Sequence, residues 1–191
     1  MRLAVLGVAM LAVLAGCASV SREECLAGDW ASIGERDGRQ GLVPDAILAR
    51  HDAACARVDV TPDRSLWKQG YEQGLARYCT PQGGLETGRA GRIYRDVCPA
   101  ASETRFLQGF ELGRAAHRAE ERVRATEREI SQLQARAREI LGAAAGDETP
   151  AVSGEYLGLQ SEIQSLRLDL MMARAELDRL EREIRGFRAA L

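Results

Sequence analysis

Apolar residues in the last part of the chain recur at Leu159, Ile163, Leu166, Leu170, Ala173, Leu177, Leu180, Ile184, Phe187 and Leu191, in steps that alternate four and three. This is a heptad seam, and it predicts one helix over roughly residues 154–190. The preceding stretch follows the same rule with smaller residues, at Ala116, Ala119, Val123, Thr126, Ile130, Leu133, Ala137 and Ile140, which predicts a second helix over roughly 102–141. Between them, Gly142 to Gly154 contains Gly146, Pro150 and Ser153, which break one helix and start the next. Two helices of similar length around such a breaker are expected to fold back on each other, each reaching about 55–60 Å. Pairing the cores sets Ala137 against Leu159, Ile130 against Leu166 and Val123 against Ala173. Arg136 then meets Glu162, Arg122 meets Glu176, Glu127 meets Arg167 and Glu120 meets Arg174, while Glu129 and Asp169 repel. A parallel coil between two copies through the last helix is the competing arrangement. The two are compatible, because Leu168 and Met171 widen an apolar stripe that a partner helix would cover.

Upstream the pattern changes to aromatic residues followed by glycines at helical spacing. Trp30 precedes Gly34 and Gly38; Trp67 precedes Gly70, Tyr71 and Gly74; Phe106 precedes Gly109, Phe110 and Gly113. The last two copies align residue by residue over 67–74 and 106–113, and Leu85, Gly88, Gly91 and Tyr94 form a looser relative. Glycine costs about 1 kcal/mol in a helix interior, so its repetition points to close approach between short packed helices, with the aromatic residues as knobs. A phosphate-binding glycine loop is excluded by the lack of a Gly-Lys-Ser/Thr element or of a strand before the glycines. Helix starts are expected at Pro44-Asp45 and at Thr61-Pro62-Asp63, with Thr61 capping, and Thr80-Pro81-Gln82-Gly83-Gly84 reads as a turn. No alternating β-branched run occurs. The predicted fold is all-α: a small disulfide-stapled bundle of four or five short helices over 25–113, followed by a long antiparallel coiled-coil helical hairpin over 114–191.

The N-terminus carries an address. Arg2 precedes the apolar run Leu3–Leu14, which at about a dozen residues is too short to span a bilayer as a helix and reads as a secretory signal. Its end, Leu14-Ala15-Gly16-Cys17, resembles the bacterial lipobox. That resemblance implies cleavage after residue 16, acylation of Cys17, a tether over 17–24, and lasting membrane attachment through several acyl chains. Ala18 and Ser19 follow Cys17 with no aspartate to signal inner-membrane retention, so the expected location is the outer membrane, facing the periplasm.

Composition sharpens this reading at two points. The formal charge is −2, with 26 basic and 28 acidic residues, which leaves no electrostatic surplus for a nucleic-acid backbone. Of five cysteines, acylation of Cys17 leaves Cys25, Cys55, Cys79 and Cys98, an even number suited to two disulfides in an oxidising compartment. Three connectivities are open, and the sequential one is expected; its loops of roughly 30 and 20 residues would each contribute about 3 kcal/mol. No pair has zinc-ligand spacing.

The order Trp30…Gly34…Gly38…Gly41, His51…Cys55, Thr61-Pro62-Asp63, Gly70-Tyr71…Gly74…Cys79-Thr80-Pro81, Gly88…Gly91…Val97-Cys98-Pro99 and Phe106…Gly109…Gly113 resembles the bacterial lipoprotein family called domain of unknown function 2799, over roughly residues 25–114. The resemblance implies an envelope lipoprotein and no particular chemistry.

Candidate chemistry is sparse. His51 and Cys55 share a helical face, as a metal-ligand pair or an activated thiol would. The plainer expectation is a disulfide-bonded Cys55 beside a half-exposed His51, with His117 solvated on the charged arm. Asp29, Glu35, Asp37, Glu72 and Glu111 lie near aromatic residues, but no spacing singles out an acid–base pair, and Asp37 is expected to bond nearby backbone at a glycine-rich turn. No serine-hydrolase motif is present. The expected function is therefore binding or scaffolding without catalysis or cofactor, by an anchored protein whose coiled coil meets a protein partner or another copy. Trp30, Trp67, Gly70, Tyr71, Gly74, Phe106 and Phe110 are the packing or binding residues of the compact half. The alternative is a periplasmic enzyme or enzyme inhibitor acting through that half, for instance on peptidoglycan.

Overall fold

A computed structural model describes residues 19–144 and 154–191; the signal segment, Cys17 and the breaker around Gly146 and Pro150 lie outside them. All regular structure among the described residues is helical: α1 (Arg22–Ala27), α2 (Trp30–Arg39), α3 (Pro44–Cys55) with a 3-10 turn at Ala56–Val58, α4 (Arg64–Tyr78), α5 (Pro81–Arg89), α6 (Ala100–Ala144) and α7 (Gly154–Ala189). No helix among them is long and apolar enough to cross a membrane.

Local chemistry sets the starts of the helices. Ser21 and Glu24 form a reciprocal capping box on α1, and Asp29 accepts from the Ser32 amide at the start of α2. Pro44 opens α3 at a position that needs no amide hydrogen. The cap of α4 is Asp63, not Thr61 as expected: its carboxylate accepts from the Ser65 and Leu66 amides. Proline at 62 fixes the approach, and the acid beside the first turn also meets the positive end of the helix dipole.

The chain divides into two compact units, one comprising residues up to Thr80 with Tyr94–Glu103, the other Pro81–Ile93 with Thr104–Leu191. The division thus falls inside α6 and takes α5 into the second unit, whereas the change in composition lies near Arg114. The reason is the glycine pattern. In the first unit α2 crosses α4 at backbone contact: a Cβ at Gly34 or Gly38 would collide with the main chain of Trp67 or Tyr71, and one at Gly70 or Gly74 with that of Ala31 or Glu35. In the second unit α5 crosses α6 the same way, Gly84 and Gly88 lying on the backbone of Phe106 and Phe110, and Gly109 and Gly113 on that of Pro81 and Leu85. The segment from Pro81, expected as a turn, is therefore a helix, because backbone packing against α6 outweighs the intrinsic cost of its glycines.

The two crossings are the same structure twice. Each contact in the first recurs in the second, with α2 positions advanced by fifty to α5 and α4 positions by thirty-nine to α6. Even the exits match: Gly41 and Gly91 both adopt left-handed φ, 61° and 65°, and lie under Tyr78 and His117 respectively. His117, expected to be solvated, is half-buried over Gly91. The sequence alignment of 67–74 with 106–113 is thus half of a structural repeat whose other half pairs 30–41 with 80–91.

Both disulfides have the sequential connectivity, Cys25–Cys55 and Cys79–Cys98. The first joins α1 to the end of α3, inside a core of Val20, Trp30, Ile33, Ile47, Leu48, Trp67 and Tyr71. The second ties residues 94–99 to the end of α4. In the second unit Leu85, Ala116, Ala119, Leu180 and Ile184 share a core, partly covered by Leu112, Leu177 and Phe187. Arg89 joins both long helices by bonds of 2.9 Å to Glu120 and 2.7 Å to Glu181.

Ion pairs between α6 and α7 run in opposite chain directions, Glu127 with Arg174 and Arg136 with Glu155. Each lies one heptad from the expected partner, Arg167 or Glu162. Exposed pairs of long side chains are weak, so an arginine choosing between acids a heptad apart does not fix the register. Glu176 has its carboxyl held below the ordinary range by a hydrogen bond from Arg179 and, more weakly, by Arg122, the partner expected from sequence.

Candidate functional site

Two features of the first unit combine polar chemistry with burial. The first is a node on the glycine stripe of α2. Positions 30, 34, 37 and 38 share one helical face, so Asp37 enters the core with the glycines, and it is 2% exposed. Its Oδ2 accepts from Trp67 Nε1 at 2.9 Å and lies 2.7 Å from Nε2 of His51, which is 0% exposed. The other ring nitrogen of His51, Nδ1, is 2.8 Å from the Ser19 hydroxyl. Trp30 stands against the imidazole with ring centroids 6.5 Å apart.

Two expectations are corrected here. His51 is buried, not half-exposed, and Asp37 bonds two side chains across the core instead of nearby backbone. Both follow from the hydrophobic stripes: Ile47, Leu48, His51 and Cys55 form the inner face of α3, as the glycines form that of α2. The signal was present in the sequence, since an acid on a face of buried glycines and a histidine on a face ending in a disulfide must meet within a small core. Cys55 is held by Cys25 and is no thiol. No cluster of three metal-ligating side chains occurs among the described residues.

The second feature is a cavity of about 700 Å³ beside the node. Leu48 of α3, Trp67, Tyr71 and Leu75 of α4, and Val97 and Pro99 line its apolar part; Arg64, Lys68, Arg95, Asp45, Glu72 and Asp96 give its rim both charges. Trp67 and Tyr71 stack with centroids 4.8 Å apart, and the Tyr71 hydroxyl donates to the Leu42 carbonyl at 2.7 Å. Burial, and then the negative charge of Asp37, push the Tyr71 phenol up to about 12. The wall over 95–99 is fixed by the Cys79–Cys98 disulfide and by Tyr94, whose hydroxyl donates to Glu103 at 2.8 Å and accepts from the Cys98 amide at 3.1 Å. The Tyr94 phenol is likewise pushed up to about 12, chiefly by burial.

Of the residues singled out in the sequence, Trp67 and Tyr71 line the cavity, Trp30 packs on the node, and Gly70 and Gly74 make the crossing that carries both. Phe106 and Phe110 belong to the second unit, where they stack on each other at 6.1 Å; they are not among the lining residues. In the wall from Arg95 to Pro99 the sequence marked only Val97-Cys98-Pro99, through the family resemblance, and nothing in it pointed to a cavity.

The pattern that forms these features is a shared one. Residues 29–115 match the model of a family described as a protein of unknown function, DUF2799, the family that the order of glycines, aromatic residues and cysteines resembles. The match runs from the cap of α2 into the first turns of α6 and covers under half of the chain. No curated protein and no solved structure matches the chain.

Proposed function

We propose that the chain is an outer-membrane lipoprotein, anchored through acyl chains on Cys17, that acts as a periplasmic scaffold by presenting α6 and α7 to a protein partner as a coiled-coil hairpin. One observation carries the choice of surface. The heptad seam of α7 is buried at Leu159 and Ile163 and again at Leu180 and Ile184, but only half-buried in between, at Leu166, Leu170, Ala173 and Leu177; past Ile184 it opens out at Phe187 and Leu191. Ala125, Thr126, Met172 and Ala173, with Arg122, Asp169 and Glu176 at its edge, line a gap of about 370 Å³ at that level. Met172 at the gap is 63% exposed, and on the face of α7 turned away from the seam Leu168 and Met171 are 60% and 64% exposed. An apolar run left open in an otherwise charged helix is the form of a helix-in-groove contact, and methionine adapts to such contacts readily.

The anchor is tested by Cys17→Ser in cells. Metabolic acyl label and outer-membrane fractionation are both expected to be lost, and a variant that keeps either would contradict the anchoring.

The cavity favours a second reading, that the first unit binds a small ligand. Its apolar floor and two-signed rim suit a zwitterionic peptide such as a cell-wall stem peptide. The node adds no reaction to this, because its aspartate and histidine are both used in the core.

A further inference from the structure

The segment after Cys17 is expected from sequence to be an open tether over 17–24. Its described part is instead built into the first unit. Val20 is 3% exposed and belongs to the same core as Trp30, Ile47, Cys55 and Trp67. Ser19 reaches Nδ1 of His51, whose opposite nitrogen is held by Asp37. Ser21 caps α1, and α1 is closed to α3 by the Cys25–Cys55 disulfide. A buried histidine spending both nitrogens on one carboxylate and one hydroxyl is a costly way to position a chain unless that position matters, since a buried polar group must be satisfied.

We infer that Ser19 and Val20 are a latch that fixes the N-terminus to the first unit, so that acylation at Cys17 seats this unit directly on the bilayer surface. The inference rests on the anchoring proposed above. Ser19 is two residue steps from Cys17, a reach of at most about 7 Å, which is less than the diameter of one helix with its side chains. The unit therefore has no room to turn away from the lipid. On α1, Leu26 is 57% exposed, an apolar residue of the kind that a bilayer interface accepts.

The test uses the lipidated full chain in vesicles of phosphatidylethanolamine and phosphatidylglycerol under brief treatment with proteinase K, whose broad specificity allows cutting after Ala18 in every variant. The released Cys25–Cys55 fragment is assayed in the supernatant, and cut sites are read by mass spectrometry. Cleavage of a folded chain requires local opening, so a docked segment resists where a slack one is cut. The wild type is expected to keep the fragment on the vesicles. A variant with six Gly/Ser residues inserted between Ala18 and Ser19, which leaves the latch and fold intact, is expected to release it at least tenfold faster. Val20→Asp is expected to be cut between residues 18 and 22, as checked on protein whose circular dichroism is unchanged. Wild type released as fast as the insertion variant would overturn the latch. Wild type that never sediments with vesicles would overturn the anchoring instead, and the cut sites in solution would still decide the latch.

Discussion

The glycines of the two crossings and Gly158 differ only in what surrounds them, and that decides opposite outcomes for one substitution. A Cβ at Gly70 would meet the carbonyl of Ala31, which is helix backbone and cannot yield. Gly70→Ala is expected to cost about 3 kcal/mol or more, seen as a lowered urea midpoint. At Gly158 nothing lies within contact, so Gly158→Ala is expected to stabilise the chain by about 0.5–1 kcal/mol through helix propensity. Tyr71 and Tyr94 make the molecule alkali-sensitive. A phenol whose folded value, about 12, lies above its unfolded value near 10 contributes stability that is complete below pH 10 and is lost as pH rises towards 12. Thermal melts between pH 9 and about 11.5 are expected to fall steadily, and Tyr71→Phe to flatten the decline; a flat wild-type profile would contradict the burial of both phenols.

Among elements, the long helices and the starts of α3 and α4 were legible because each rests on a local signal: a heptad seam, or a proline and an acid at a first turn. The segment after Thr80 misled for the same reason, since Pro81 and two glycines look like a turn until their contact with α6 is known. The candidate site was legible in part. Trp67 and Tyr71 stood out by type, and Asp37 and His51 could have been found from the faces they share with glycines and with Cys55. The cavity wall at 95–99 could not, because a loop's position is set by what ties it down. That tie is expected to be the Cys79–Cys98 disulfide, whose loop contributes about 3 kcal/mol. In a Cys79→Ala, Cys98→Ala variant, amides of residues 94–99 are expected to lose hydrogen-exchange protection while those of α2 and α3 keep theirs. Equal loss in α2 and α3 would show that the wall is not a separate element.

At the scale of the whole molecule, the near-neutral charge is an average over two designs. The glycine crossings appear once in each unit. The first crossing is joined by α3, which brings the histidine that meets Asp37; the second, where Thr87 stands in place of Asp37, continues into α6 and is joined by α7. One copy of the repeat thus holds the polar core and the other the long charged helices. We propose that the long helices, not the cavity, meet the partner. This is tested most directly by a photocrosslinking amino acid placed singly at Leu168, Met171 or Lys68 of the full-length protein in intact cells, with adducts mapped by mass spectrometry. The account predicts adducts to one partner, or to a second copy, from Leu168 and Met171 and none from Lys68. Adducts from Lys68 alone would contradict it and assign the function to the cavity of the first unit.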